Sequence, residues 1–166
     1  MPTLILFGPT SAGKTYVGKL LQQEFGYYFY DGDGDLTTEM KLALHSMQVI
    51  TDRMRQKFIT RLISSTVSLV KKHKNLAVAQ TFIKEKYRQR LIKKLPQAKF
   101  VLVKTIPALR YQRRQKRADY PWDETYVKKM DSLFETPKVP HQILTNDSTG
   151  SDSLKFSLRR LLSGLS

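Results

Sequence analysis

Gly8-Pro9-Thr10-Ser11-Ala12-Gly13-Lys14-Thr15 matches G-x-x-x-x-G-K-[ST] at every fixed position, and its flanks carry as much information as the motif. Thr3–Phe7 is a short apolar run ended by Gly8 and Pro9, which predicts a buried strand. Lys14–Phe25 places Val17, Leu20, Leu21 and Phe25 on one stripe closed by Gly26, which predicts a helix. A strand entering a glycine-rich turn that opens into a helix is a polyphosphate cradle. Glycines let the backbone arc so that its N–H groups converge on an anion, and the helix N-terminus adds a favourable dipole. Gly8, Ser11, Ala12, Gly13, Lys14 and Thr15 are the candidate nucleotide-binding positions. Lys14 supplies a point charge to the β- and γ-phosphates, and Thr15 offers its hydroxyl to Mg²⁺. The alternative, a chance glycine-rich turn, has to explain why strand, turn and helix are all in register.

Outward from the cradle, the chain alternates. Strands are predicted at 27–30, 76–80, 99–104 and 141–145, and helices at 35–46, 51–73, 83–95, 108–117, 123–133 and 152–162. Apolar strands separated by helices imply a parallel sheet covered on both faces, hence a five-stranded three-layer α/β/α domain over residues 1–166. Ligands in such folds sit at the carboxyl ends of the strands.

Two further stretches carry chemistry. Tyr30-Asp31-Gly32-Asp33-Gly34-Asp35 follows the second strand. Asp31 and Asp33 are one residue apart, so in extended backbone both project to one side. Asp31 is the candidate to hold a water on Mg²⁺, and Asp33 to bind an acceptor hydroxyl and take its proton. An Asp/Gly turn is the bland alternative. A calcium loop fits poorly, because no glycine follows Asp35 and Leu42 stands where a closing glutamate belongs. The second stretch holds Arg110, Arg113, Arg114, Lys116 and Arg117, followed by Ala118-Asp119-Tyr120-Pro121-Trp122. Arg113 and Arg117, at i, i+4, are candidates for a basic lid over residues 113–123 that neutralises a transferring phosphoryl group. A solvated basic face and a nucleic-acid contact are the alternatives, and Trp122 is read as packing.

Composition narrows the field. With no cysteine, disulfides, thiolate zinc sites and thiol catalysis are excluded. His45, His73 and His141 lie far apart, which argues against a histidine-rich metal site. No apolar run approaches the roughly 18–20 residues of a membrane span, and the N-terminus lacks a secretory signal, so a cytoplasmic protein with no membrane partner is expected. The 29 Lys+Arg against 14 Asp+Glu give a net charge of +15, which attracts anions. Lys84–Lys94 holds six cations and one acid, and Lys104–Arg117 six cations and no acid.

Taken together, these residues resemble the shikimate kinase/gluconate kinase group of nucleoside-monophosphate-kinase-like P-loop kinases, with the gluconokinase branch nearest. Phe29-Tyr30-Asp31-Gly32-Asp33 is similar to that branch's F-[LI]-D-G-D, and Asp52-Arg53 falls where the family carries an Asp-Arg pair. Lys84-Glu85-Lys86-Tyr87-Arg88 is similar to K-x-x-Y-R, Arg113 and Arg117 match the lid spacing, and Leu133-Phe134-Glu135-Thr136-Pro137 resembles F-x-T-L-E-x-P. The resemblance implies a five-stranded parallel sheet and ATP- and Mg²⁺-dependent phosphorylation of a small hydroxyl acceptor. By it, Lys14, Thr15, Asp31, Asp33 and the lid arginines are functional, and Arg53 pairs with an acceptor carboxylate. As plain sequence, Arg53 reads equally as a helix-surface arginine.

The chain also departs from the family. Gly34-Asp35-Leu36-Thr37-Thr38 replaces a His-Pro and Asn, Ser11 and Ala12 replace Gly and Ser, and Gln80-Thr81-Phe82 replaces C-S-A. These departures surround the acceptor position and the cradle. The leading expectation is a small-molecule kinase acting on a nucleotide and a small anionic metabolite. A second is chemistry on nucleic acid by a 5′-hydroxyl kinase or tRNA-modifying enzyme. The cradle is similar to the G-P-T-x-x-G-K-T of tRNA dimethylallyltransferases, but their D-S-x-Q is absent. A third is a nucleotide-binding module without turnover. Oligomeric state is not readable.

Overall fold

A computed structural model describes residues 2–148 and 150–165. Five strands, β1 (Leu4–Phe7), β2 (Tyr28–Asp31), β3 (Leu76–Ala79), β4 (Lys99–Lys104) and β5 (His141–Thr145), form one parallel sheet in the order β2-β3-β1-β4-β5. Among the described residues seven helices surround it: α1 (Lys14–Phe25), α2 (Thr38–His45), α3 (Asp52–Lys72), α4 (Glu85–Lys94), α5 (Pro107–Gln115), α6 (Glu124–Ser132) and α7 (Ser151–Ser163). The expected α/β/α architecture is present.

Strand alternation builds the layers. Leu4 and Leu6 of β1 point into a cluster with Val17, Leu21 and Leu154 from α1 and α7. Ile5 and Phe7 point the other way, to Phe58, Leu62 and Leu91 of α3 and α4. Every residue of β1 and β3 is buried. The edge strands are not covered on both faces as the sequence suggests: Ile143 of β5 is 57% exposed, and Tyr28 of β2 stacks on His73 at 3.8 Å.

Helix boundaries move where capping chemistry takes precedence over the apolar pattern. The helix expected from residue 35 begins at Thr38, because Gly32–Asp35 form a 3₁₀ turn and the Thr37 hydroxyl accepts the Met40 N–H. In α3, Thr51 caps Met54 in the same way. The buried stripe of α3 is Arg55, Phe58, Ile59, Leu62, Ile63 and Thr66, a helical period that includes one arginine.

Arg88 on α4 is fully buried and ties three segments together. Its guanidinium donates to the Phe82 carbonyl at 2.9 Å, the Glu135 carbonyl at 2.7 Å and the Glu85 carboxylate at 2.6 Å. Arg88→Met strands these acceptors and should cost about 3–5 kcal/mol. Thermal unfolding checks it, with a Tm drop of about 10 °C expected and an unchanged Tm refuting the clasp.

Candidate active site

The cradle leaves β1 at its carboxyl end and is held in place from outside. Gly8 has φ 145°, and a Cβ there would meet the Val103 carbonyl oxygen at 2.5 Å. Gly13 has φ 94°, and a Cβ would strike the Asn146 amide at 2.2 Å. Side chains are excluded at both positions on conformational and steric grounds. The Asn146 amide and the Thr105 hydroxyl donate to the Ala12 carbonyl at 3.1 and 2.9 Å. Arg110 donates to the Thr10 carbonyl at 3.1 Å and pairs with Asp131 at 2.6 Å. Thus β4, β5, α5 and α6 all brace the turn. Sequence reasoning missed Thr105 and Asn146; their only signal is position, just after the ends of β4 and β5.

Ser11 adopts φ 58°, unusual for a residue with a side chain, and its buried hydroxyl has no hydrogen-bond partner among the described residues. An orphaned buried hydroxyl in a turn that opens onto the N-terminus of α1 fits an anionic tail. Lys14 Nζ donates to the carbonyls of Gly8 at 2.9 Å and Pro9 at 2.7 Å, so it lies folded along the arc. Burial lowers its pKa to about 8, against the opposing pull of Asp33 and Asp31.

Asp31 and Asp33 both line the cavity, but not through extended backbone. β2 stops at Asp31, whose carboxylate accepts the Asp33 N–H at 3.1 Å and so caps the 3₁₀ turn. Its other oxygen accepts from the Thr15 hydroxyl at 3.1 Å. These two adjacent hard oxygen donors suit Mg²⁺, which takes one or two protein ligands and fills its shell with phosphate and water. Among the described residues no cluster of three or more His, Cys, Asp or Glu side chains is gathered as an all-protein cage.

Asp33 accepts from the Gln80 amide at 2.8 Å, and Gln80 is oriented in turn by the Thr81 N–H at 2.7 Å. The side chain meets solvent through the cavity, yet the protein packed around it raises its pKa above the usual carboxylate range. The Gln80 hydrogen bond works against that rise, the Asp31 charge adds to it, and Lys14 and Arg117 oppose it. Asp35 turns away, accepting from Tyr30 at 2.8 Å and Ser65 at 2.9 Å. The three aspartates therefore do not form a calcium loop.

Arg113 and Arg117 reach the same cavity, although α5 ends at Gln115 and the pair straddles the helix terminus. Arg113 donates to Thr105 at 3.2 Å and to the Asn146 carbonyl at 3.0 Å. Arg117 pairs with Asp119. Arg53 is exposed and is not brought to the cavity; Arg55, two residues on and in phase with the buried stripe of α3, lines it. Asp52 instead pins the start of α3 to α4, accepting from Lys86 at 2.5 Å and Tyr87 at 2.7 Å; chiefly the Lys86 bond holds its carboxyl down at about 2. Gly8 and Ala12 frame the cradle without lining the cavity, which encloses about 600 Å³. Trp122, expected only to pack, lines it as well.

No family model matches the sequence. The chain is 26% identical over 141 residues to the thermosensitive gluconokinase of Escherichia coli (strain K12), covering 84% of this chain and 75% of that protein. Its fold superposes on a gluconokinase from Sinorhizobium meliloti 1021 with a TM-score of 0.77 at 20% identity, covering 99% of this chain and 91% of that one. It also superposes on the Mycobacterium tuberculosis APS kinase CysC in complex with AMPPNP and APS, with a TM-score of 0.66 at 20% identity and 97% of both chains covered. Among the described residues no helix is long and apolar enough to cross a membrane. The resemblance carried by the motifs is borne out: the chain is similar in sequence to a gluconokinase, and its fold is that of gluconokinases and related P-loop small-molecule kinases.

Proposed function

We propose that the protein transfers the γ-phosphoryl group of ATP to a hydroxyl of a small anionic acceptor. The observation that carries this reading is that a phosphate cradle and a carboxylate of raised pKa open into one cavity bordered by arginines. The Ser11, Gly13, Lys14 and Thr15 arc binds the polyphosphate, with Lys14 leaving the Gly8 and Pro9 carbonyls to meet it. Thr15 and Asp31 hold Mg²⁺, which when bound neutralises charge on the β- and γ-phosphates. Asp33 orients the acceptor hydroxyl and accepts its proton as the new O–P bond forms and the bond to the ADP leaving oxygen breaks. Arg113 and Arg117, on the basic segment 113–123, face the developing charge. Arg55, with no ion-pair partner among the described residues, takes over from Arg53 as the group for an acceptor anion.

Acceptor-stimulated ADP release is the direct test. Stimulation by a small hydroxy acid is expected. Nucleotide binding with no release for any acid, alcohol or nucleoside would leave a binding module, and release driven only by RNA would shift the reading to nucleic-acid chemistry, which has the net charge of +15 on its side.

A further inference from the structure

The wall of the cavity supplied by α2, α3 and the segment after β3 is apolar. Met40, Leu44, Phe58, Ile59, Phe82 and Ile83 line it. The basic segment adds Tyr120 and Trp122, stacked on each other at 4.8 Å. The polar tips nearby are mostly spent inside the protein. Trp122 Nε1 donates to the Leu44 carbonyl at 2.8 Å, and the Tyr87 hydroxyl to Asp52 at 2.7 Å. The Gln80 amide uses one end on Asp33 and the other on the Thr81 N–H. The Asp119 carboxylate is held by Arg114 and Arg117. Among the described residues that leaves the hydroxyls of Thr81 and Tyr120, the Arg114 Nε, and the guanidinium of Arg55, which donates to the Ile50 carbonyl at 2.6 Å.

Such a wall discriminates strongly. A polyhydroxylated acid would bury several hydroxyls against methyl groups and aromatic rings, and each unmatched hydroxyl costs about ten- to a hundredfold in affinity. An apolar skeleton gains contact over the same surface. We infer that the acceptor is a hydroxy acid with an aryl or branched alkyl body, carrying one hydroxyl for Asp33 and one anionic group for Arg55, and not a polyol acid. The inference rests on the phosphotransfer reading for the role of the hydroxyl. The chemistry of the wall stands apart from that reading.

The experiment compares two acceptor sets on the full chain. One is gluconate and shikimate; the other is 3-hydroxy-3-phenylpropanoate and 3-hydroxy-4-methylpentanoate. ADP release is measured for each, and calorimetric binding is measured in parallel with AMPPNP present. The apolar set should show kcat/KM at least about 30-fold higher, and its binding should carry a negative heat-capacity change. Arg55→Met should weaken binding of the apolar acids about tenfold or more, with little change for their methyl esters. Gluconate or shikimate serving as well as the apolar acids would overturn the inference and leave phosphotransfer standing. Tight binding of the apolar acids, with no ADP release from them or from any other acid, alcohol or nucleoside, would uphold the wall's chemistry and end the kinase reading. Failure of both sets to bind the nucleotide-loaded protein would overturn the inference.

Discussion

Lys14→Ala should lower phosphoryl transfer by about 10³-fold or more while leaving the chain folded. Lys14 is the cation at the centre of the arc, and nothing else on the arc carries a charge. Its two hydrogen bonds go to the carbonyls of Gly8 and Pro9, which other braces already fix through Ala12 and Thr10. The substitution therefore removes charge from the site without removing what shapes the turn. A circular dichroism spectrum matching the parent, together with a collapse in kcat, is the expected pair of results. The same residue predicts a pH effect with a definite sign. Burial depresses its pKa from 10.5 to about 8, so between those values the folded chain binds fewer protons than the unfolded one. The nucleotide-free protein should gain stability as pH rises through that window, and Lys14→Ala should abolish the gain. Nucleotide affinity should move the other way, weakening above about pH 8 as the ammonium needed for phosphate is lost. A transfer rate within tenfold of the parent's for Lys14→Ala would remove the cradle from the mechanism.

The parts of this site legible in the sequence are those whose residue types are dictated locally. A turn that must approach the Val103 carbonyl and the Asn146 amide admits only glycine at Gly8 and Gly13, so it can be read without a structure. Apolar runs in β1, β3 and β4 are legible because each is buried by layers on both sides. The parts that escape depend on phase and on distant partners. Arg53 and Arg55 differ by two positions, and on a helix that separates solvent from cavity. The period Arg55, Phe58, Ile59, Leu62 marks the right one, but only when an arginine is allowed to belong to a buried stripe. The capped turn at Asp31–Asp33 and the contributions of Thr105, Asn146 and Gln80 arise from long-range pairing that spacing does not encode. Trp122 reads as packing because nothing in sequence says that its ring faces a cavity while its N–H is spent on the Leu44 carbonyl.

Asp33→Asn should reduce transfer by about 10²–10⁴-fold with nucleotide affinity unchanged. Asparagine keeps the shape and can still accept the Gln80 hydrogen bond through its amide oxygen, so the 3₁₀ turn and the acceptor wall are preserved. What is lost is the ability to take a proton. Asp31 cannot substitute, because its two oxygens are engaged by the Asp33 N–H and the Thr15 hydroxyl. The pH profile separates this role from simple positioning. Because packing raises the Asp33 pKa, the acidic limb of kcat/KM in the parent should lie above the ordinary carboxylate range, with activity lost as pH falls through it. In Asp33→Asn the residual rate should lack that limb. A variant that keeps the parent's rate would show that the acceptor hydroxyl gives up its proton elsewhere, and one that keeps the limb but loses rate would reduce Asp33 to a residue that only holds the acceptor in place.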